Sequence, residues 1–460
     1  MKIAIIGAGG QVFPLRLVAD MLSFPALQAS TIHLMDIDAA RLAVTEGNVR
    51  TLVQHYGFPA QVKAGTDQRE ALRGADAVIV TFQVGGLDAY ELDVTIPRRY
   101  GLDQTVGDTL GPGGVMRFLR SAEAYRRIAQ DMHELCPEAL LINYANPMAM
   151  SCWYLSRLGV KTVGLCHSVQ GTTWMLAQVL GIPHRELRFR SAGINHQAWL
   201  LELHHNGQDV YPRLRELMRE QHLERRPDPE IVEDRGNHSD RAYRPSVYEG
   251  GQERVRTSIM DYFGYFHTES SHHASEYLPY FRKDAETTRE VLPYRWDYYE
   301  ICRRNAGDDQ HGMMARLLTE LRPSVEYGAV ILNAMQTNQP AVIYGNVPNR
   351  GLIRNLPDGC SVEVACLVDG NGVQPTPLGS LPPQLAALNR SNVAVQELAV
   401  EAALTGDVQH VYHAMALDPL TGALLTLDQI RAMTDELLQA EAHWLPQFTA
   451  LTSAHLPAGD

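Results

Sequence analysis

The sequence predicts an α/β fold in which a Rossmann-like, doubly wound parallel sheet is followed by a mixed α+β domain. Three observations lead to this prediction. Short apolar segments alternate with helical segments through the first part of the chain, as buried parallel sheets require. The first strand ends in a glycine-rich turn, and the regular alternation stops after about residue 186.

The composition limits the class of protein. At 460 residues the chain is long enough for two closely packed domains. A formal net charge of −13 without a basic tract argues against nucleic acid or an anionic membrane as partner. Six cysteines without a CxxC pair, and no signal peptide, favour reduced thiols in the cytoplasm. No apolar run approaches the roughly 20 residues of a membrane span.

The N-terminus has the pattern of a nucleotide-binding unit. A strand at Lys2–Ile6 turns through glycines into a helix near 11–22, and the next strand ends at Asp36. Gly7 and Gly9 would let the backbone approach a pyrophosphate at the helix N-terminus, and Asp36 would bind a ribose hydroxyl. The third glycine of the pattern is Val12, so an ordinary βα turn is the alternative. Asp36 favours NAD over NADP only weakly.

The alternation of strands and helices continues from this unit. Helices are predicted at 41–56, 68–73 and 115–135, and strands at 61–65, 77–81, 140–143 and 160–165. Polar residues follow these strands or open the long helix. Ligands bind at the carboxyl ends of strands in doubly wound sheets, so we expect four of these residues in one crevice: Asp108, Asn146, Cys166 and His167.

The second part of the chain has a mixed pattern. Strands are predicted at 187–196, 198–204, 341–346 and 361–368, and helices at 384–404 and 427–446. Residues 225–250 are highly charged and are interpreted as a surface excursion. We therefore predict an NAD-binding Rossmann-like domain over 1–186 and an α+β catalytic and oligomerisation domain over 187–460. This arrangement is like that of lactate and malate dehydrogenases.

Two residues at strand ends are candidate metal ligands. Cys166 and His196 offer a thiolate and an imidazole, and with oxygen ligands they would suit Zn, Mn, Fe, Co or Ni. The alternatives are a small buried cysteine and a core histidine. His167 is either an acid–base group or a surface residue. From the residues alone we predict a metal-assisted, NAD-dependent enzyme acting on a hydroxylated small molecule.

Longer strings in the sequence resemble a known family. They are MKIAIIGAGG, GDTLGPGG, NYANPMAM, GLCHSVQGT, AGINH, GYFHTESS, EYLPYF, VIYGNVPN, LPDGCSVEVACLVD and YHAMALDP. Together they resemble glycoside hydrolase family 4, and within it the melibiase-type α-galactosidases. The resemblance extends over roughly residues 1–445, so it does not depend on one motif.

The resemblance implies a mechanism outside the usual two-carboxylate scheme of glycosidases. The family uses NAD and a divalent metal, usually manganese. Hydride passes from C3 of the sugar to NAD, and the resulting ketone makes the C2 proton acidic. A base takes this proton, the aglycone is eliminated from C1, water adds, and the hydride returns. NAD is therefore recycled within each turnover.

The resemblance also implies residue roles. Cys166 and His196 match the metal ligands, and Asn146 matches a substrate-contacting asparagine. His167 occupies the position of the general acid, where phospho-glycosidases have aspartate and the galactosidase branch has histidine.

The base is less well fixed by the resemblance. Its position falls within residues 268–271, where Glu269 is the only side chain with useful basicity. Asp108 matches a carboxylate that assists the base. Read from the sequence alone, both lie in glycine- or serine-rich runs where most carboxylates are simply solvated.

Other activities stay open at this point. An α-glucuronidase, α-galacturonidase or phospho-glycosidase would need cationic side chains at the site, for which Arg117, Arg120 and Arg289 are candidates. A plain NAD-dependent sugar or hydroxy-acid dehydrogenase and a non-catalytic NAD-binding sensor are further alternatives. The resemblance implies a homodimer or homotetramer, with a small-molecule glycoside as its substrate.

Overall fold

A computed structural model describes residues 1–10, 13–223, 253–293, 297–307 and 310–448 of the chain. The predicted surface excursion at 225–250 lies outside the described residues, as does Val12. The described part contains no helix long and apolar enough to cross a membrane.

The N-terminal part forms the predicted Rossmann-like parallel sheet. Its strands are β1 (Lys2–Ile6), β2 (Thr31–Met35), β3 (Gln61–Gly65), β4 (Ala77–Val80), β5 (Leu140–Asn143) and β6 (Thr162–Gly164). They pair in parallel in the spatial order β3-β2-β1-β4-β5-β6. Every residue of β4 and β5 is buried, because helices cover both faces of such a sheet. The predicted fold class is confirmed.

Helices connect these strands. They are α1 (Phe13–Leu22), α2 (Ala39–Tyr56), α3 (Gln68–Leu72), α4 (Gly86–Arg99), α5 (Gly111–Leu135), α6 (Met148–Arg157) and α7 (Ser168–Leu180). The sequence explains where α2 begins and ends. Asp38 accepts hydrogen bonds from the backbone of Ala40 and Arg41, and Gly57 ends the helix in a left-handed conformation.

The second part of the chain extends the same sheet with antiparallel strands. They are β7 (Arg188–Ile194), β8 (Gln197–His205), β9 (Gln208–Asp209), β10 (Phe266–His267), β11 (Ala341–Pro348), β12 (Ser361–Asp369) and β13 (Gly372–Pro375). The order continues β6-β11-β12-β7-β8-β10, so the described residues form one 13-stranded sheet. Because this sheet is continuous, the division into two domains at residue 186 stays a prediction.

Further helices surround the antiparallel half. They are α8 (Tyr211–Leu223), α9 (Arg254–Phe263), α10 (Ser271–Tyr277), α11 (Ala285–Val291), α12 (Tyr298–Arg304), α13 (His311–Thr319), α14 (Tyr327–Thr337), α15 (Pro383–Thr405), α16 (Gln409–Leu417), α17 (Pro419–Leu424) and α18 (Leu427–Ala440). Helix α15 packs against α5 and α6. The second part is thereby joined to the nucleotide-binding unit through helices as well as through the sheet.

Several boundaries differ from the sequence prediction. No helix was predicted between 81 and 115, whereas the structure has α4 at Gly86–Arg99. The predicted helix at 427–446 ends at Ala440 and is followed by short 3-10 turns. The predicted strand at 160–165 shortens to Thr162–Gly164, because the residues that follow turn away from the sheet into the site.

Candidate active site

Cys166 and His196, each just after the end of a strand, come together in the structure. Cys166 follows β6, and His196 lies in the two-residue turn between β7 and β8. The Sγ of Cys166 lies 3.1 Å from Nε2 of His196. His196 is buried and has a φ of 59°, which is rare for a residue with a side chain and is often found at functional sites.

The carboxylate of Glu269 completes a group of three candidate ligands. Glu269 follows β10, also with a positive φ of 76°, and its Oε2 lies 3.5 Å from Nε2 of His196. The ligand atoms of Cys166, His196 and Glu269 all lie within 4.8 Å of one another. Sulphur, imidazole nitrogen and carboxylate oxygen together fit a divalent transition metal. Both predicted ligands are therefore in one place, with the predicted base beside them.

The surroundings of Glu269 favour its ionised form. Burial alone would raise its pKa, but the imidazoles of His196 and His273 hold the pKa of the carboxyl well below its usual range. Nδ1 of His273 lies 3.9 Å from Oε1 of Glu269, and the Ser270 backbone N–H donates to the same oxygen at 3.0 Å. An ionised carboxylate can serve as a metal ligand or as a base.

His167 lies beside a buried carboxylate. It lies at the N-terminal end of α7, about a third exposed, with Nδ1 3.6 Å from Oε1 of the buried Glu326. Burial lowers the pKa of His167, but the Glu326 carboxylate outweighs burial and raises this pKa to about 10. This environment therefore favours the protonated form of His167, which can donate a proton. No sequence signal singled out Glu326.

One arginine links Asp108 to Asn146. Arg117 on α5 lies with Nη1 3.3 Å from Oδ2 of Asp108, and its Nε donates to the Asn146 carbonyl at 3.2 Å. The Thr109 hydroxyl donates to the other oxygen of Asp108 at 2.7 Å. Asp108 is buried and Asn146 is half-buried. Asp108 and Asn146 are therefore bridged by one arginine side chain.

Tyr277 packs beside the candidate metal group. Its ring centroid lies 6.4 Å from that of His196 and 5.6 Å from that of His273. Burial, and then the carboxylates of Asp108 and Glu269, raise the pKa of Tyr277 well above its usual value. The charges of Asp108 and Glu269 therefore both disfavour ionisation of the Tyr277 phenol.

The nucleotide turn has the close backbone packing that its sequence predicts. Gly7 has a φ of 92°, and a Cβ at this position would lie 2.7 Å from the Phe82 backbone nitrogen. A Cβ on Gly9 would lie 2.9 Å from the carboxylate of Asp36, which accepts a 2.7 Å hydrogen bond from the Gly9 N–H. Asp36 follows the end of β2, where a ribose would be bound.

Of the three arginines that the sequence suggested for an anionic sugar, Arg117 alone borders this site. The fully buried Arg120 forms ion pairs with Asp93 and Glu441. Arg289 is exposed on α11 and donates to the Ala285 carbonyl at 3.1 Å. The guanidinium of Arg117 forms an ion pair with the Asp108 carboxylate.

A buried glutamate lies on a strand between β6 and β7, the strands that precede Cys166 and His196. Glu363 of β12 pairs in register with Gly193 and Asn346, and Asn346 pairs with Gly164, two residues before Cys166. Asn346 donates to Glu363 at 3.3 Å, and burial raises the pKa of Glu363 to about 7. The sequence signal for Glu363 is an acidic residue inside the otherwise apolar string VEVACLV.

Comparison with known proteins identifies the family. The sequence model described as Family 4 glycosyl hydrolase matches residues 2–182, and the model of that family's C-terminal domain matches residues 191–421. The chain belongs to glycosyl hydrolase family 4. The family predicted from the sequence strings is thereby confirmed.

Two relatives carry the name α-galactosidase. That of Bacillus subtilis (strain 168) is 39% identical, covering 97% of this chain and 99% of the relative. That of Rhizobium meliloti (strain 1021) is 36% identical, covering 97% and 89%. A 6-phospho-alpha-glucosidase from gut microorganisms, solved in complex with NAD and Mn²⁺, aligns with a TM-score of 0.77. It is 20% identical and covers 96% of this chain and 98% of its own, which shows a shared fold.

Proposed function

We propose that this protein is an α-galactosidase that requires NAD and a divalent metal, with Mn²⁺ as the first candidate. The observation that carries the proposal is the grouping of Cys166, His196 and Glu269 within 4.8 Å, on the same sheet as the nucleotide turn. The names of the two α-galactosidase relatives support the choice of sugar.

The residues present fit both groups. Cys166 and His196 would hold the metal, and Gly7, Gly9 and Asp36 would hold NAD. The complex of the 6-phospho-alpha-glucosidase with NAD and Mn²⁺ supports this pair of cofactors in the shared fold. When bound, NAD would accept hydride from C3 of the sugar and the metal would polarise the ketone at C3.

The chain's own residues supply the proton transfers. Glu269 would take the C2 proton, which the neighbouring ketone makes acidic enough for a carboxylate. Asp108, held by Arg117, would assist this base. His167, paired with Glu326, would donate a proton to the departing aglycone oxygen, and Asn146 would contact the sugar.

Among the described residues, the three arginines considered for an anionic sugar favour an uncharged sugar instead. A phosphate or uronate carboxylate is normally bound by paired cationic side chains. Arg120 and Arg289 have partners elsewhere, and Arg117 faces Asp108. A galactoside therefore suits these residues better than a galacturonide or a sugar phosphate.

A panel of nitrophenyl glycosides with NAD and Mn²⁺ tests this proposal. We expect hydrolysis of the α-galactoside without accumulation of NADH, because the hydride returns within each turnover. Preferred cleavage of a uronide or phospho-glycoside would favour a sister activity. Net NADH formation would instead indicate a plain dehydrogenase, and NAD binding without any turnover would indicate a sensor. We further propose that the protein is cytoplasmic and forms a homodimer or homotetramer. Light scattering would measure its oligomeric state.

A further inference from the structure

The carboxylate of Glu276 binds three consecutive backbone N–H groups of another segment. Its Oε1 accepts from the N–H groups of Thr105 at 2.7 Å and Val106 at 2.9 Å, and its Oε2 from Gly107 at 2.9 Å. The Thr105 hydroxyl donates at 3.1 Å and the Gln104 amide at 3.3 Å. Consecutive N–H groups of this kind form an anion-binding concavity, so the loop is built around a negative charge.

Arg282 strengthens the same connection. Its Nη2 lies 3.5 Å from Oε1 of Glu276 and donates to the Thr105 hydroxyl at 2.9 Å. Its Nη1 donates to the Asp103 carbonyl at 2.7 Å, and its Nε to the Ser275 hydroxyl at 2.8 Å. Glu276 and Arg282 are both buried. Residues 103–107 are therefore fixed to α10 and the chain that follows it by both partners of a buried ion pair.

Each of the two segments joined in this way carries a residue of the candidate site. The loop at 103–107 leads directly into Asp108. Helix α10 begins two residues after Glu269 and carries His273, which contacts Glu269 near the start of the helix. The Glu276 contacts are made near the other end of that helix.

We propose that Glu276, together with Arg282, is a positioning residue that sets the placement of Asp108 relative to Glu269. This inference rests on the proposed function, in which Asp108 assists the base. Glu276 acts on the reaction only through the loop, because its oxygens are occupied by the N–H groups of residues 105–107.

The chemistry of Glu276→Gln explains the expected effect. Glutamine keeps the size of the side chain but replaces one acceptor oxygen by an NH₂ group that faces N–H donors. A buried donor without an acceptor is unfavourable, so the loop at 103–107 would shift to satisfy it. A displacement of about 1 Å in a catalytic group lowers turnover by about 10²-fold.

A double-mutant cycle with Asp108→Asn tests the proposal on the full-length enzyme with NAD and Mn²⁺. We expect Glu276→Gln to lower kcat by about 10²-fold while KM and the affinity for Mn²⁺, measured by electron paramagnetic resonance, stay unchanged. In the Asp108→Asn background, Glu276→Gln should cause no further loss, because both changes remove the same contribution. Arg282→Lys gives the same readout should Glu276→Gln fail to fold.

Asp418→Asn is the matched control. Asp418 is also a buried carboxylate, but its hydrogen bonds go to the backbone and hydroxyl of Thr421 at the start of α17. Because α17 contacts α10, this variant neutralises a buried acid beside the same helix without removing a bond to the loop at 103–107. Its kcat should therefore stay near that of the unaltered enzyme.

The possible outcomes separate this inference from the proposed function. Losses that multiply in the double variant, or an unchanged kcat for Glu276→Gln, would overturn the positioning role alone. Full activity of Asp108→Asn would overturn the proposed role of Asp108 and, with it, the positioning role of Glu276.

Discussion

The thiol sulphur of Cys166 lies 3.1 Å from Nε2 of His196, although thirty residues separate the two in the chain. Because the two side chains would hold one metal ion, Cys166→Ser should remove metal-dependent activity. NAD binding should survive, because the nucleotide turn lies elsewhere, at the ends of β1 and β2. Mn²⁺ titration and fluorescence quenching by NAD would measure the two effects. Cys136→Ser is the control, because Cys136 is also a free cysteine but lies buried at the C-terminal end of α5, outside the candidate metal group. If the Cys166→Ser variant kept full activity, Cys166 would not be a metal ligand.

Glu269 is close enough to His196 to be either a metal ligand or the base. If Glu269 is the base and not a ligand, removing its charge should not affect metal binding. Glu269→Gln should therefore retain its Mn²⁺ affinity but lose the exchange of the C2 proton with solvent. The exchange is measured by NMR on substrate or product, and the affinity by electron paramagnetic resonance. Loss of Mn²⁺ binding in this variant would instead make Glu269 a third ligand.

The proposed role of His167 predicts a dependence on the leaving group. His167→Asn should lower kcat by about 10²–10⁴-fold for an alkyl α-galactoside, whose leaving oxygen needs a proton. The loss should be much smaller for a nitrophenyl α-galactoside, because nitrophenolate is a stable anion. Equal losses on both substrates would argue against general acid catalysis by His167. Parallel kinetics on the two substrates provide the measurement.

The contact between Gly9 and Asp36 predicts a specific loss of nucleotide binding. Gly9→Ala would place a Cβ 2.9 Å from the Asp36 carboxylate, so the affinity for NAD should fall while Mn²⁺ binding stays intact. Gly47→Ala in α2 is the matched control, because no atom lies within 4 Å of its new Cβ. It should leave NAD affinity unchanged and raise the free energy of unfolding by about 1 kcal/mol, as alanine favours a helix. Unaltered NAD affinity in Gly9→Ala would contradict the nucleotide site.

The sequence predicted the parallel sheet well because its signals are local. The apolar run at 77–80 and the turn at Gly7 depend on neighbours in the chain, and both lie where the pattern places them. Cys166 and His196 were singled out because each follows a strand, and the two side chains do lie together. The rule for parallel strands does not explain their meeting, because β6 and β7 run in opposite directions in the sheet.

Other residues of the site depend on contacts between distant segments. Glu326 meets His167 across more than 150 positions, and Glu276 meets Thr105 at a separation of 171. Neither pairing has a periodic or spacing signal. Glu363 differs from them, because an acid within an apolar strand already suggests a buried, functional carboxylate.

The most direct test of the proposed mechanism is hydrolysis of an α-galactoside in deuterated water with NAD and Mn²⁺, followed by NMR of the released galactose. Free galactose incubated with the enzyme in deuterated water is the control for exchange after hydrolysis. If Glu269 takes the C2 proton and exchanges it with solvent, the product carries deuterium at C2. Galactose that is released without deuterium at C2 would contradict the elimination mechanism.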